Sequence, residues 1–149
     1  MITMLGGKFS LKLNHVYNAN KERVFHAWTK EELLKQWWGL VGFTTNIEQM
    51  DVSVGGKYRF HMRAPNGKIH TLEGRYVDIV PNEKLSFTWK WVSEGDDSEE
   101  TVVTINFVDK DEKTELILTH SDFSTMKVTE RHNKGWTNSL EGGLRNYFN

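Results

Sequence analysis

Residues 124–148, STMKVTERHNKGWTNSLEGGLRNYF, are the only stretch long enough for a helix of about six or seven turns. Met126, Asn133, Trp136, Leu140, Leu144 and Tyr147 recur at spacings of seven, three and four, which sets them on one mostly apolar stripe. Gly135, Ser139, Gly142 and Asn146 form a second stripe beside it. Glycine inside a helix costs about 0.5–1 kcal/mol relative to alanine, so the glycines here need a reason. Either a neighbouring element approaches the backbone closely, or space is kept between the helix and its support, or the helix end simply frays. A helix of this length cannot bury its stripe alone. The rest of the chain must supply the surface under it.

That surface reads as sheet. Phe9, Leu11, Leu13 and His15 alternate with Lys8, Ser10, Lys12 and Asn14, the period of a half-buried strand over 8–17. Two short helices follow. The first has Asn20 as N-cap and Val24, Phe25 and Trp28 on one side. The second opens on Thr29-Lys30-Glu31-Glu32, in capping-box form, carries Leu33, Leu34, Trp37 and Trp38, and stops at Gly39. Strands are then expected at 42–50, 57–64, 68–80, 85–91, 101–108 and 114–120, separated by turn signals such as Pro65-Asn66-Gly67. The acidic run 93–100 joins two of them and reads as a solvated loop. Short connections make sequential strands neighbours, so the expectation is one antiparallel sheet covered by the long helix, in a single α+β domain over 1–149.

Composition narrows the function. The 149 residues include no cysteine, which removes disulfides, thiolate catalysis and cysteine-ligated metal. A net charge of −1 argues against a nucleic-acid or anionic-membrane surface. No apolar run is long enough to span a membrane, and the start, MITMLGGKF, does not read as a signal peptide, so a cytoplasmic protein is expected. Six tryptophans and eight phenylalanines stand beside two prolines, a supply of rings that suits either a dense core or the wall of an apolar pocket.

Five stretches, in order, carry a resemblance: VFHAWTKEELLKQWWG (24–39), DVSVGGKYRFHM (51–62), PNGKIHTLEGRYVDIVPNEKLSFTW (65–89), TELILTHSDF (114–123) and RHNKGWTNSLEGGLRNYF (131–148). Together they resemble the helix-grip fold of the START-like (SRPBCC) superfamily, in the branch named after the activator of heat-shock protein 90 ATPase. The resemblance implies a sheet wrapped around the C-terminal helix with a cavity between them. Relatives use that cavity for lipids, hormones or polyketides, or for cyclase and hydrolase chemistry. The eukaryotic activator also carries a separate chaperone-docking domain ahead of the grip domain. This chain starts at the first strand of the grip, which weakens the expectation of a chaperone partner.

The residues expected to line such a cavity come from three sides. The sheet offers Tyr58, Phe60, Met62, Phe87, Trp89, Trp91, Leu116, Leu118 and His120, the short helices Trp28, Trp37 and Trp38, and the long helix His132, Trp136 and Leu140. A small hydrophobic or aromatic molecule is the expected partner, with no cofactor, in a monomer or homodimer. The alternatives are a chaperone-activating stress protein that works through its outer surface, an enzyme using the same cavity, or the same rings packed as a solid core. His120 and His132 are the candidate general bases, but no carboxylate stands at an orienting spacing. His61 and His70, symmetric about Pro65-Asn66, are expected to face each other on the outer face of the hairpin, with no third ligand to complete a metal site. No serine sits in a nucleophile elbow, and Gly55-Gly56 precedes a strand rather than a phosphate-binding helix.

Overall fold

Alternation of apolar and polar side chains turns the middle of the chain into a single eight-stranded antiparallel sheet. The computed structural model describes residues 1–92 and 98–148, so most of the acidic run at 93–100 lies outside the described residues. The strands are β1 (Ile2–Leu5), β2 (Lys8–Tyr17), β3 (Thr44–Met50), β4 (Lys57–Arg63), β5 (Ile69–Val80), β6 (Lys84–Trp91), β7 (Thr101–Lys110) and β8 (Lys113–Phe123). Their order is β1-β2-β8-β7-β6-β5-β4-β3. Strand β1 is an addition to the expectation, so the two short helices follow the second strand rather than the first. It lies at the sheet edge with Met4 and Leu5 exposed, and therefore has no buried face to imprint a period. In β6 both faces are covered: Ser86 and Thr88 are buried along with Leu85, Phe87 and Trp89, because the strand is central.

Between β2 and β3 lie α1 (Lys21–Thr29) and α2 (Glu31–Leu34). The Asn20 side chain caps α1 by accepting from the Arg23 amide at 2.9 Å. The expected capping box does not form. The Thr29 hydroxyl instead donates back to the Phe25 carbonyl at 2.9 Å, and Lys30 is extended with no side-chain cap. Helix α2 is thus a single turn, and Trp37 and Trp38 stand on the irregular segment after it.

The C-terminal helix is interrupted. It consists of α3 (Met126–Ser139), a π-helical turn (Leu140–Leu144) and a last turn, α4 (Arg145–Tyr147). Its buried face is Val128, Thr129, His132, Trp136, Ser139, Leu140, Leu144 and Phe148. Met126, expected on that stripe, is exposed, because the helix meets the sheet only from its second turn. The glycine edge does not face the sheet. It faces the Trp37–Phe43 segment, where a Cβ on Gly143 would stand 2.5 Å from the Trp37 carbonyl oxygen and one on Gly142 2.8 Å from a Val41 methyl. Two hydrogen bonds fasten the same contact: Ser139 Oγ donates to the Gly39 carbonyl at 2.8 Å, and the Val41 amide donates to Asn138 Oδ1 at 3.0 Å. On the other side of the wide turn, the Tyr17 hydroxyl donates to the Leu140 carbonyl at 2.8 Å. Among the described residues, no helix is long and apolar enough to cross a membrane.

Candidate functional site

Three elements converge on one cavity of about 260 Å³. The sheet contributes Met62, His70, Trp89 and Trp91. The irregular segment contributes Trp37, Trp38, Gly39, Leu40 and Phe43. The helix contributes Arg131, His132, Gly135, Trp136 and Ser139. Five of the six tryptophans are therefore in its wall. The sixth, Trp28, backs them up, with its ring 4.6 Å from Trp37 and 6.0 Å from Trp136.

Of the expected lining residues, Trp37, Trp38, Met62, Trp89, Trp91, His132 and Trp136 come together here. Trp28, Tyr58, Phe60 and Phe87 surround a separate void of about 10 Å³, room for one water at most. Leu116, Leu118, His120 and Leu140 are fully buried core and do not line the cavity. His70 reaches the cavity because the β4–β5 turn is one residue longer than the symmetric count assumes. Met62 pairs with His70 and His61 with Thr71, and a shift of one residue exchanges the two faces of a strand. His61 stays outside, bonded to Thr71 Oγ1 and Glu48, so the two histidines do not face each other.

The glycine question divides in two. Gly142 and Gly143 serve close packing, while a Cβ on Gly135 would meet only Leu40 Cδ2, at 3.9 Å. Gly135 therefore leaves room at the wall where Gly143 removes it.

Two buried imidazoles stand beside the cavity, and both are held by tryptophan. Trp136 Nε1 donates to His120 Nδ1 at 3.0 Å, which makes Nε2 the protonated nitrogen. That nitrogen donates to Thr101 Oγ1 at 2.7 Å, and the Thr101 hydroxyl donates to the Trp89 carbonyl at 3.2 Å. Burial, with His132 nearby adding a smaller effect, holds His120 well below its ordinary value of 6.5. Trp91 Nε1 donates to His132 Nε2 at 3.0 Å, and His132 Nδ1 donates to the Val128 carbonyl at 2.9 Å. The basic lone pair of each imidazole thus receives an indole N–H. Each imidazole spends that lone pair on a tryptophan and not on the cavity.

The family model for the Activator of Hsp90 ATPase homolog 1-like protein matches residues 18–149. Among solved structures, protein CV1439 from Chromobacterium violaceum is similar at 26% identity and a TM-score of 0.86, over 93% of this chain and 96% of that one. The AHSA1 protein from Silicibacter pomeroyi is similar at 26% identity and a TM-score of 0.78, over 89% and 92%. A protein from Arthrobacter aurescens shares the fold, at 20% identity and a TM-score of 0.79 over 95% and 87%. Among curated proteins none matches.

Proposed function

The chain belongs to the Activator of Hsp90 ATPase homolog 1-like family, and from that premise we propose that it binds a small hydrophobic or aromatic molecule between the sheet and the C-terminal helix. One observation carries this reading. The helix gives up a side chain at Gly135 beside a wall of five tryptophans, and a cavity of about 260 Å³ stays open there. Voids of that size are costly in a solid core, since their lining atoms lose contacts. An apolar cavity of about 150 Å³ is large enough for benzene, so this one suits one or two rings better than a long lipid chain.

Naphthalene, followed by quenching of tryptophan emission, is the test. The wild-type chain should bind it saturably. Gly135→Leu should abolish binding without loss of the fold, because leucine favours helix over glycine and its side chain enters the open space. Gly142→Leu, which presses on exposed Val41 rather than the cavity, should keep binding. Absence of binding by the wild type, or normal binding by Gly135→Leu, would reject the proposal.

A further inference from the structure

Resting on the binding function proposed above, we infer that the turn Leu40–Phe43 is the gate through which the ligand enters and leaves, latched to the C-terminal helix by Asn138. The walls of the cavity differ in how they are held. Strands β4, β5 and β6 are joined by antiparallel ladders, and α3 carries its own helical backbone bonds. Neither wall parts without breaking several hydrogen bonds. The segment between α2 and β3 joins no ladder among the described residues. Within it, Leu40–Phe43 is a turn closed on itself. The Phe43 amide donates to the Leu40 carbonyl at 3.0 Å, and Gly42 stands third with a φ of 91°, as in a type II turn. Both ends are fixed. The Gly39 carbonyl accepts from the Ser139 hydroxyl at 2.8 Å, and Thr44 opens β3 opposite Arg63. A turn held at its ends moves as one piece about the line between them, and Gly39, at a φ of 97°, supplies the backbone freedom.

What holds the turn shut is slight. The Val41 amide donates to the exposed Asn138 side chain at 3.0 Å, and a Val41 methyl lies over Gly142. Water replaces that bond when it opens, so breaking it costs little. The turn also carries the side chain that crosses the opening. Among the described residues of the lining, Leu40 and Arg131 are the exposed ones, which places the mouth between strap and helix. Leu40 reaches over to Gly135, 3.9 Å from where a Cβ would stand. Lifting the turn draws Leu40 off the helix and widens the mouth.

The experiment locks the turn. The chain has no cysteine, so Val41→Cys combined with Gly142→Cys introduces one pair alone. A Cβ on Gly142 stands 2.8 Å from a Val41 methyl, hence no more than one bond further from the Val41 Cβ, within the span of a disulfide. Naphthalene exchange is followed by stopped-flow quenching of tryptophan emission. Oxidation of the double variant should slow association and dissociation by about tenfold or more, and reduction should restore both. Asn138→Ala, outside the cavity lining, removes the latch. It should speed both steps about fivefold, the ratio for one exposed hydrogen bond, with the dissociation constant nearly unchanged. Wild-type rates in the oxidised double variant, or in Asn138→Ala, overturn the gate while the binding function stands. Saturable binding by none of the three chains overturns both.

Discussion

Trp136 and His120 are joined by one N–H···N bond of 3.0 Å that ties the C-terminal helix to β8. The imidazole can accept that bond only while neutral. Protonation would put a positive hydrogen against the indole N–H in a site with no solvent, since His120 is fully buried.

Stability should therefore fall on acidification. His120 in the unfolded chain titrates near 6.5, and in the folded chain well below it. Between those two values the unfolded chain holds the proton and the folded chain does not. The contribution is complete above about pH 6.5 and is lost as pH falls from there, with a slope approaching about 1.4 kcal/mol per pH unit. His15 is also lowered, mainly by burial, with Glu141 opposing and Arg145 assisting, and adds in the same sense. Urea melts between pH 7.5 and 5 should show the slope, and His120→Asn should flatten it. An unchanged slope in that variant would mean that another group controls the transition.

Thr101→Val removes the hydroxyl between His120 and the Trp89 carbonyl with little change in shape. It strands one buried N–H and one buried carbonyl, so a loss of about 1–3 kcal/mol is expected by denaturant unfolding. A near-neutral result would show that water reaches these groups.

Two alanine substitutions on one helix should have opposite signs. Gly135→Ala places its Cβ at ordinary contact distance from Leu40 and should stabilise by about 0.5–1 kcal/mol. Gly143→Ala drives its Cβ into the Trp37 carbonyl and should destabilise by about 1–3 kcal/mol despite the same gain in propensity. Thermal melts of the pair read this directly, and equal shifts would contradict the assignment of one glycine to space and the other to contact.

Trp136→Ala should cost about 3–5 kcal/mol, the usual loss for a buried aromatic ring, because only one side of the ring faces the cavity. Its other neighbours, Trp28, Trp38 and Trp89, lie within 6.0 Å between ring centroids. Trp91 is only half-buried, so Trp91→Ala should cost less and affect naphthalene binding more. Calorimetry of both variants with and without the probe separates these effects.

The sheet was legible because its inner positions repeat with period two, and Tyr58, Phe60 and Met62 or Phe87 and Trp89 are buried as that pattern requires. In the candidate site that pattern marked Met62, Trp89 and Trp91, and the helical readings marked Trp37, Trp38, His132 and Trp136. The symmetric count puts His70 on the outer face, and a turn longer by one residue moves it to the inner one. Gly39, Leu40 and Phe43 belong to a segment with no period at all. Its path depends on left-handed backbone at Gly39 and Gly42 and on the bond from Val41 to Asn138, long-range facts that no local pattern encodes. The cavity itself is what remains when three surfaces fail to meet, and such a remainder is set by geometry rather than by any one residue.

The strand order has a kinetic consequence. Strands β3 to β8 each lie beside the next in sequence, but β2 lies against β8, and Asn14 bonds Glu115 across 101 positions. Closing so long a loop is entropically expensive, whereas hairpins close locally. Strand β2 should thus be among the last to dock, and the grip around the helix should tighten only when it does. Pulsed hydrogen exchange during refolding should protect amides of the β4–β5 hairpin before those of β2, and the reverse order would show that the two ends of the chain meet first.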